Sequence, residues 1–477
     1  MILIRLSVLP SQTITHTVLF MINKRVHFIA IGGSAMHNLA IALHRKGYKV
    51  TGSDDEIFDP ARARLDSYGL LPEQFGWFPE KLDQNIDSVI LGMHARGDNP
   101  ELAKAKELGL KIFSYPEFLY EQSKDKLRVV IGGSHGKTSI TAMILHVLHH
   151  CNVDVDYLVG AKLEGFDVMV RLTEKAKVMV FEGDEYLTSA LDLRPKFHLY
   201  KPDIALVSGI AWDHMNVFPT FENYIEQFRI FMQMVPDSGV LIYCNEDPEV
   251  KKEVESLNGR MNKLPYGIPL HRVSDGKTIL ETQDGEFSLM IFGQHNLMNL
   301  NGARFVCNQL NISDSNFYNA ISSFKGASNR LELIAEKPGF NAYRDFAHAP
   351  SKLRATLQAV KEQYPNRRLV ACFELHTFSS LNKDFLNQYA NTMEEADEAI
   401  VYFSPHALEL KKLPLLSPAD IKLSFQKDGL RVFSDPILFQ QFLQNEKWEN
   451  VNLLLMSSGN YDGLNVKDFA AKLAKQG

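Results

Sequence analysis

Short apolar runs alternate with amphipathic segments along most of the chain. The first run, residues 25–31, leads into a glycine-rich turn and an amphipathic segment that reaches Lys46, and another run follows Gly47. A short apolar run predicts a buried strand, and apolar residues spaced by three or four positions predict a helix. Strands that alternate with helices favour a parallel sheet with ligand-binding loops at the carboxyl ends of its strands.

The alternation occurs in three successive stretches. The first continues with a strand at 88–93, a helix through 103 and a polar linker at 121–128. The second has predicted strands at 129–131, 178–182, 204–208 and 239–243, a helix over 137–150, short strands between 262 and 293, and a helix over 295–310. The third has strands at 341–346 and 368–373 around a helix at 351–363. We therefore predict three consecutive α/β domains over 22–126, 127–324 and 325–477, the first and last Rossmann-like, with residues 1–21 as a disordered extension or a misassigned start.

Charge and cysteine content exclude several classes of protein. The 477 residues include 51 Lys and Arg against 57 Asp and Glu, a formal net charge of −6, which argues against a nucleic-acid-binding surface. Four cysteines without a C-x-x-C pair argue against a zinc site or a disulfide framework. No apolar stretch reaches the length of a membrane span, and residues 10–13 interrupt a signal-peptide core. We expect a cytoplasmic protein without a membrane or nucleic-acid partner.

A glycine-rich turn with a lysine stands between the first strand and the first helix of the second stretch. Residues 133–139 read G-S-H-G-K-T-S. In such a turn backbone N–H groups surround phosphates, the lysine reaches the β- and γ-phosphates, and the hydroxyl ligates Mg²⁺. We assign these roles to Lys137 and Thr138, although Ile131 occupies the first glycine position of the strict motif. A simple turn with a surface lysine is the alternative. The pattern predicts ATP binding and a P-loop ATPase-like central domain.

Acidic residues and a histidine follow two later strands of the same stretch. Residues 182–185 read E-G-D-E, and Asp213 and His214 follow the next strand. Carboxylates at a strand's carboxyl end beside a phosphate loop suit a hard cation such as Mg²⁺. We therefore predict that Glu182 is a metal ligand and that His214 completes a second metal site or contacts a phosphate. A structural histidine is the alternative for His214.

The ordered set of motifs resembles the Mur ligase family, the ATP-dependent amide-forming enzymes of peptidoglycan precursor assembly. G-S-H-G-K-T-S, E-G-D-E, D-H and G-Q-H-N (293–296) occur in the family's order. The segment H-F-I-A-I-G-G-S-A-M, followed by G-S-D (52–54), is similar to the domain that binds the UDP-sugar. S-N-R-L-E-L (328–333) and D-F-A-H-A-P (345–350) are similar to the domain that receives the incoming amine.

The resemblance implies a role for individual residues. ATP would contact Gly133, Ser134, His135, Gly136, Lys137, Thr138, Ser139, Asn296, Asn299, Arg330 and Asp345. Mg²⁺ would be held by Thr138, Glu182 and His214, and the catalytic set would be Lys137, Glu182, His214 and His348. UDP-N-acetylmuramate would contact Gly32, Gly33, Ser34, Ala35, Met36, Ser53 and Asp54. A helix cap and a core histidine are the alternatives for Asn299 and His348.

Four positions depart from the family pattern. Arg229 lies fifteen positions after His214, where several relatives carry a lysine modified to a carbamate, and a guanidinium cannot form that group. Ala35 replaces a glycine of the first turn, Ala349 replaces a polar residue, and Thr377 stands where alanine-adding enzymes tend to carry arginine.

Two subgroups of the family act on UDP-N-acetylmuramate: one adds L-alanine, and the other reattaches the tripeptide L-alanyl-γ-D-glutamyl-meso-diaminopimelate during murein recycling. Residues 184–197, D-E-Y-L-T-S-A-L-D-L-R-P-K-F, resemble the tripeptide ligases, whereas G-D-N-P-E (97–101) resembles the alanine-adding enzymes. The resemblance favours ligation of the lactyl carboxylate to the tripeptide through an acyl phosphate. L-alanine is the alternative amine, and an inactive ATP-binding protein of the same fold ranks third.

Overall fold

The computed structural model describes residues 24–475 except 94, 162, 164, 190–191, 213–216, 275 and 328–329. The predicted N-terminal extension and His214 therefore lie outside the described residues. Three α/β units follow one another along the chain, as predicted. Among the described helices, none combines the length and the apolar character that crossing a membrane requires.

The first unit is a four-stranded parallel sheet in the order β2-β1-β3-β4. Its elements are β1 (Arg25–Ile29), α1 (Ser34–Arg45), β2 (Lys49–Ser53), α2 (Ala61–Ser67), β3 (Ser88–Leu91), α3 (Pro100–Glu107), β4 (Ile112–Ser114) and α4 (Tyr115–Ser123). Ser114 and Glu117 form a reciprocal capping box that fixes the start of α4. Because α3 reaches residue 107 and α4 reaches residue 123, the helix predicted to end at 103 is too short and the predicted linker 121–128 is too long.

The central unit is a seven-stranded sheet in the order β11-β10-β9-β5-β8-β6-β7, in which only the β6–β7 pair is antiparallel. Its elements are β5 (Leu127–Gly132), α5 (Lys137–His150), β6 (Asp156–Leu158), β7 (Val170–Arg171), β8 (Val178–Glu182), α6 (Lys196–Leu199), β9 (Ile204–Val207), α7 (Phe221–Gln233), β10 (Val240–Cys244), α8 (Pro248–Ser256), β11 (Asn262–Tyr266), α9 (Gln294–Gln309) and α10 (Asp314–Ile321). The short strands predicted after residue 262 include an antiparallel ribbon of β12 (His271–Ser274), β13 (Lys277–Thr282) and β14 (Gly285–Leu289).

The third unit is a six-stranded sheet in the order β15-β16-β20-β17-β18-β19, parallel except for the β15–β16 pair. Its elements are β15 (Glu332–Lys337), β16 (Phe340–Asp345), α11 (Pro350–Gln363), β17 (Arg368–Leu375), α12 (Phe378–Leu381), β18 (Glu398–Phe403), α13 (Pro405–Leu410), α14 (Pro418–Phe425), β19 (Arg431–Phe433), α15 (Pro436–Asn445), β20 (Val451–Met456) and α16 (Val466–Ala474). Strand β16 ends at Asp345, so the D-F-A-H segment follows a strand's carboxyl end.

Side-chain contacts join the central unit to the units on either side of it. Arg45, the last residue of α1, and the following Lys46 meet the central unit through the ion pairs Arg45–Asp167, at 3.1 Å, and Lys46–Glu174, at 2.8 Å. The side chain of Thr278 donates to that of Gln363 at 3.1 Å and so joins the central unit to the third. Clefts between units are common places for ligand sites.

Candidate ATP and ligation site

The phosphate loop connects β5 to α5 and is enclosed by neighbouring side chains. Gly133 and Gly136 have φ values of +134° and +78°, which disfavour residues with a Cβ atom. A Cβ on Gly133 would lie 2.1 Å from Ser208 Oγ, and one on Gly136 would lie 2.2 Å from Asn299 Oδ1. Both positions therefore require glycine. The loop presents the unpaired N–H groups of the first turn of α5, an arrangement suited to phosphate.

Lys137 stands at the start of α5 with its ammonium group held by carboxylates. Its Nζ lies 2.6 Å from Glu185 Oε2 and 2.5 Å from the carbonyl oxygen of Gly133. Burial alone would lower the pKa of Lys137, but the charges of Glu185, Asp184 and Glu182 raise it above its ordinary value. Lys137 therefore stays cationic inside the protein and can neutralise an incoming polyanion.

The hydroxyl group of Tyr224, on α7, makes two contacts in this arrangement. Its hydroxyl oxygen lies 3.3 Å from Glu185 Oε1 and 2.9 Å from Ser134 Oγ. The side chain of Tyr224 is fully buried. One hydroxyl thus ties the phosphate loop to the carboxylate that holds Lys137.

Thr138 and Glu182 form a second pair beside the loop. Thr138 Oγ1 donates to Glu182 Oε1 at 2.6 Å, and the N–H of Gly160 donates to Glu182 Oε2 at 2.7 Å. Burial raises the pKa of Glu182, an effect that Thr138, Gly160 and the nearby charges of Lys137 and Arg330 oppose. A hydroxyl and a carboxylate oxygen are hard donors of the kind Mg²⁺ prefers. Within the described part of the chain no three His, Cys, Asp or Glu side chains gather as metal ligands, and His214 lies outside it.

Residues of the third unit close the site from the opposite side. Asp345 accepts backbone N–H groups from Leu331 and Ala347, both at 2.7 Å, and so shapes the loops on either side. The guanidinium of Arg330 lies 4.6 Å from the centre of the Phe346 ring. His348 Nδ1 lies 2.9 Å from the carbonyl oxygen of Phe346. These contacts orient the side chains of Asp345 and Arg330.

One cavity of about 270 Å³ collects most of the predicted ATP-binding and catalytic residues. Its lining includes Ser134, His135, Gly136, Lys137, Thr138, Ser139, Glu182, Asn296, Asn299, Arg330, Asp345 and His348. The side chains of His135 and Ser351 meet across it at 2.9 Å and connect the phosphate loop to α11. Gly133 lies behind the lining and contributes its carbonyl oxygen to Lys137. The predicted residues are therefore neighbours, and their roles remain predictions.

Several residues of the site had no role in the sequence prediction. Glu185 belongs to the quoted E-G-D-E motif, but the motif does not show that its carboxylate holds Lys137. Tyr224 and Gly160 lie far from the loop in sequence, and nothing in their local pattern marks them. Lys352, in the first turn of α11, also lines the cavity, and His348 precedes that helix, so helical spacing does not connect the two residues.

Arg229 lies outside the site. Its guanidinium pairs with Glu253 at 2.7 Å and also with Glu226, on the face of α7 that contacts α8. The buried face of α7 instead presents Tyr224 and Phe228, which pack edge to face. Arg229 pairs with carboxylates away from the cavity. Whether position 229 can form a carbamate therefore does not affect the site. Thr377 caps α12, where its Oγ1 accepts the N–H of Ser380 at 3.0 Å.

A second cavity, of about 340 Å³, adjoins the first and lies between the first and central units. Ser34 and Ala35, at the start of α1, line one end of it, and Lys137 and Glu182 line the other. Gly33 precedes α1 as its N-cap residue, so the helix N-terminus is available to a diphosphate. The predicted UDP-sugar contacts of Gly33, Ser34 and Ala35 remain predictions.

The other predicted UDP-sugar residues do not line this cavity: Gly32, Met36, Ser53 and Asp54. The N–H of Gly32 donates to Asp54 Oδ2 at 2.7 Å, which joins the two predicted loops. Ser53 is fully buried, and the side chain of Met36 packs in the hydrophobic core. A contact between a sugar nucleotide and the Met36 side chain is therefore not expected.

The carboxyl group of Asp54 makes the folding stability of the chain depend on pH. Burial raises the pKa of Asp54 to about 6, although the hydrogen bond from Gly32 opposes the shift and Asp55 adds to it. Between the ordinary value of 3.8 and about 6, the folded chain holds a proton that the unfolded chain has lost, so folding stability falls as the pH rises. Asp54→Asn, which stays neutral, should gain stability relative to the wild type between pH 4 and 7, by on the order of 3 kcal/mol.

Unfolding midpoints of the wild type and of Asp54→Asn at pH 4, 5, 6 and 7 measure this difference. Asp66→Asn, on the exposed face of α2, is the matched control and should follow the wild type. Parallel pH profiles for Asp54→Asn and the wild type would contradict the assignment.

Family profiles match all three units of the chain. The profile of the Mur ligase family catalytic domain matches residues 25–126, that of the Mur ligase middle domain residues 131–307, and that of the Mur ligase glutamate ligase domain residues 329–437. The chain belongs to the Mur ligase family. Members of this family are ATP-dependent ligases that form amide bonds.

Relatives and solved structures agree with this membership. The chain is 31% identical over 392 residues to a UDP-N-acetylmuramate–L-alanine ligase of Clostridium kluyveri, covering 79% of this chain and 83% of that protein. It shares its fold with a murein peptide ligase of Psychrobacter arcticus, at 22% identity and a TM-score of 0.63 over 95% of this chain and 99% of that one. It also shares it with the UDP-N-acetylmuramate–alanine ligase of Thermotoga maritima, at 19% identity and a TM-score of 0.66 over 92% and 96%. The three-domain Mur ligase fold is thus confirmed.

Proposed function

We propose that this Mur ligase joins the lactyl carboxylate of UDP-N-acetylmuramate to the tripeptide L-alanyl-γ-D-glutamyl-meso-diaminopimelate with consumption of ATP. The observation that supports the proposal is the cavity in which the phosphate loop, Glu182 and the third unit's Arg330 and Asp345 meet. The cavity toward the first unit shares Lys137 and Glu182 with it, so an acid bound there lies beside a bound triphosphate.

The residues of the first cavity fit a magnesium triphosphate. Backbone N–H groups of the phosphate loop and the ammonium of Lys137 suit phosphate oxygens. Thr138 Oγ1 and Glu182 Oε1, which lie 2.6 Å apart, would be the oxygen ligands that hold a Mg²⁺ ion. ATP supplies the phosphoryl group that converts an unreactive carboxylate into an acyl phosphate with phosphate as the leaving group.

A cationic residue of this chain offsets the electrostatic repulsion between the two anionic substrates. A carboxylate and a triphosphate repel one another, and Lys137, which remains charged when buried, offsets that repulsion. Glu185 holds the ammonium of Lys137 in place before either anion binds. The contact between His135 and Ser351 connects α11 to the phosphate loop, and Arg330 of the third unit lines the same cavity.

The position of Thr377 favours the tripeptide as the amine substrate. A free amino acid carries a carboxylate two bonds from the attacking nitrogen, and a fixed cation is the usual partner for such a group. At Thr377 the chain has instead a helix cap whose hydroxyl is engaged with Ser380. In a peptide the alanine carboxyl is already an amide, so no cation is needed at that place.

L-alanine is the second candidate amine. The curated relative at 31% identity is named for L-alanine, and that degree of similarity covers 79% of the chain. Both candidates use the same activated acid and the same ATP site.

Competition between the two amines tests the proposal. Purified protein, ATP, Mg²⁺ and UDP-N-acetylmuramate would receive equimolar L-alanine and tripeptide, with the products separated by mass spectrometry. We expect the tripeptide product in at least about tenfold excess, a ratio within the range that binding contacts can provide. Predominance of the alanine product would favour the second candidate, and consumption of ATP without either product would contradict both.

A further inference from the structure

The hydroxyl group of Tyr115 is buried without a hydrogen-bond partner. Tyr115 is the first residue of α4 and is 7% exposed. Within the described part of the chain, no donor or acceptor meets its hydroxyl oxygen. Leaving a buried hydroxyl unsatisfied costs about 1–3 kcal/mol. Tyr115 lines the cavity between the first and central units, so a ligand in that cavity can supply the missing partner.

Lys196 faces the same cavity from the central unit. It is the first residue of α6, which packs against α4. Its Nζ lies 2.6 Å from Asp184 Oδ2. An ammonium group has three N–H donors, and the contact with Asp184 uses one of them. Lys196 can therefore hold Asp184 and an anionic ligand together.

The lining of this cavity carries two ammonium groups and two carboxylates. Lys137 and Lys196 line it together with Glu182 and Asp184. Asp184 and Lys196 form an ion pair at 2.6 Å on the wall of the cavity. Burial and the nearby charge of Asp184 raise the pKa of Tyr115 well above its ordinary range, so its hydroxyl remains a donor. Tyr115 has an unused O–H donor and Lys196 has N–H donors beyond the one that Asp184 accepts, and both residues line the cavity.

We propose that Tyr115 and Lys196 bind the carboxylate that becomes phosphorylated, one from each side of the seam between α4 and α6. The inference rests on the proposed function and adds two substrate-binding residues to it. It also assigns a specificity: this pair distinguishes a UDP-sugar that bears an acid from one that does not. The first and central units must both be in place for that recognition.

Calorimetric titration with two UDP-sugars tests the assignment. UDP-N-acetylmuramate carries the lactyl acid, and UDP-N-acetylglucosamine is the same nucleotide sugar without it. For Lys196→Gln we expect the Kd for the acid-bearing sugar to rise about tenfold or more, as for the loss of a hydrogen bond to a charged group. Tyr115→Phe should raise the same Kd by about fivefold. Both variants should bind the sugar without the acid within about twofold of the wild type.

Matched substitutions separate recognition from damage to the fold. Arg194→Gln removes a positive charge two positions from Lys196 at a side chain that is 57% exposed, and Tyr120→Phe removes a hydroxyl from the same helix as Tyr115. Both controls should leave the two affinities unchanged. Equal weakening for both sugars in Lys196→Gln and Tyr115→Phe, or no weakening in either variant, would overturn the inference. A wild-type protein that binds neither sugar would instead contradict the proposed function.

Discussion

Lys137→Ala should reduce ATP-dependent phosphate release by about a thousandfold or more while binding of UDP-sugar persists. The expected size follows from removing a preorganised cation that faces the charge developing on phosphoryl transfer. Phosphate release in the presence of the UDP-sugar and either amine, together with calorimetry of the UDP-sugar alone, measures both parts. Turnover at the wild-type rate would remove Lys137 from the phosphate site.

A second variant distinguishes loss of the phosphate contact from loss of folding stability. Lys137→Ala leaves the buried carboxylate of Glu185 without its partner, and an uncompensated buried charge costs about 3–5 kcal/mol. The double variant Lys137→Met/Glu185→Gln removes both charges, so it should recover most of the unfolding midpoint without recovering activity. Lys175→Ala, at an exposed position of the central unit, should behave as the wild type.

The sequence predicts best what depends on neighbouring residues. The helix predicted over 137–150 is α5 at those bounds, and the apolar strand and the glycine turn that indicate its start directly precede it. The position of Glu182 at the end of β8 follows from the same local reasoning, since parallel strands end at one edge. These features need no knowledge of distant contacts.

The parts that escaped prediction depend on packing between distant segments. The hydroxyl of Tyr224 reaches Ser134 across 90 positions of sequence, and the N–H of Gly160 reaches Glu182 across 22. Neither residue type is unusual in its own segment. Such contacts follow from the order of strands in the sheet, which places β6 next to β8.

The spacing of a residue from a motif does not show which face of a helix its side chain lies on. Arg229 and Phe228 are adjacent, yet successive residues on a helix point about 100° apart. Phe228 therefore shares the buried face with Tyr224, four positions earlier, whereas Arg229 reaches Glu253 of α8. Spacing from the D-H motif therefore did not show that Arg229 lies outside the site.

Glu182→Gln should raise the Mg²⁺ concentration needed for half-maximal activity by at least about tenfold or eliminate turnover. Glu182 Oε1 lies 2.6 Å from Thr138 Oγ1, so the two oxygens can face one cation, and an amide is a weaker ligand than a carboxylate. Titration of phosphate release with Mg²⁺ at saturating ATP measures the change. Glu255→Gln, on the exposed side of α8, is the control of equal charge.

Stability measurements distinguish a lost ligand from a damaged fold in this variant. Because burial raises the pKa of Glu182, its ionised form lowers the stability of the folded protein without a cation, and a neutral amide of the same size avoids that cost. The unfolding midpoint of Glu182→Gln at neutral pH should therefore equal or exceed that of the wild type, and added Mg²⁺ with ATP should raise the wild-type midpoint more than the variant's. A variant with wild-type metal dependence would show that Glu182 acts only through Thr138 and Gly160, as a support for the phosphate loop.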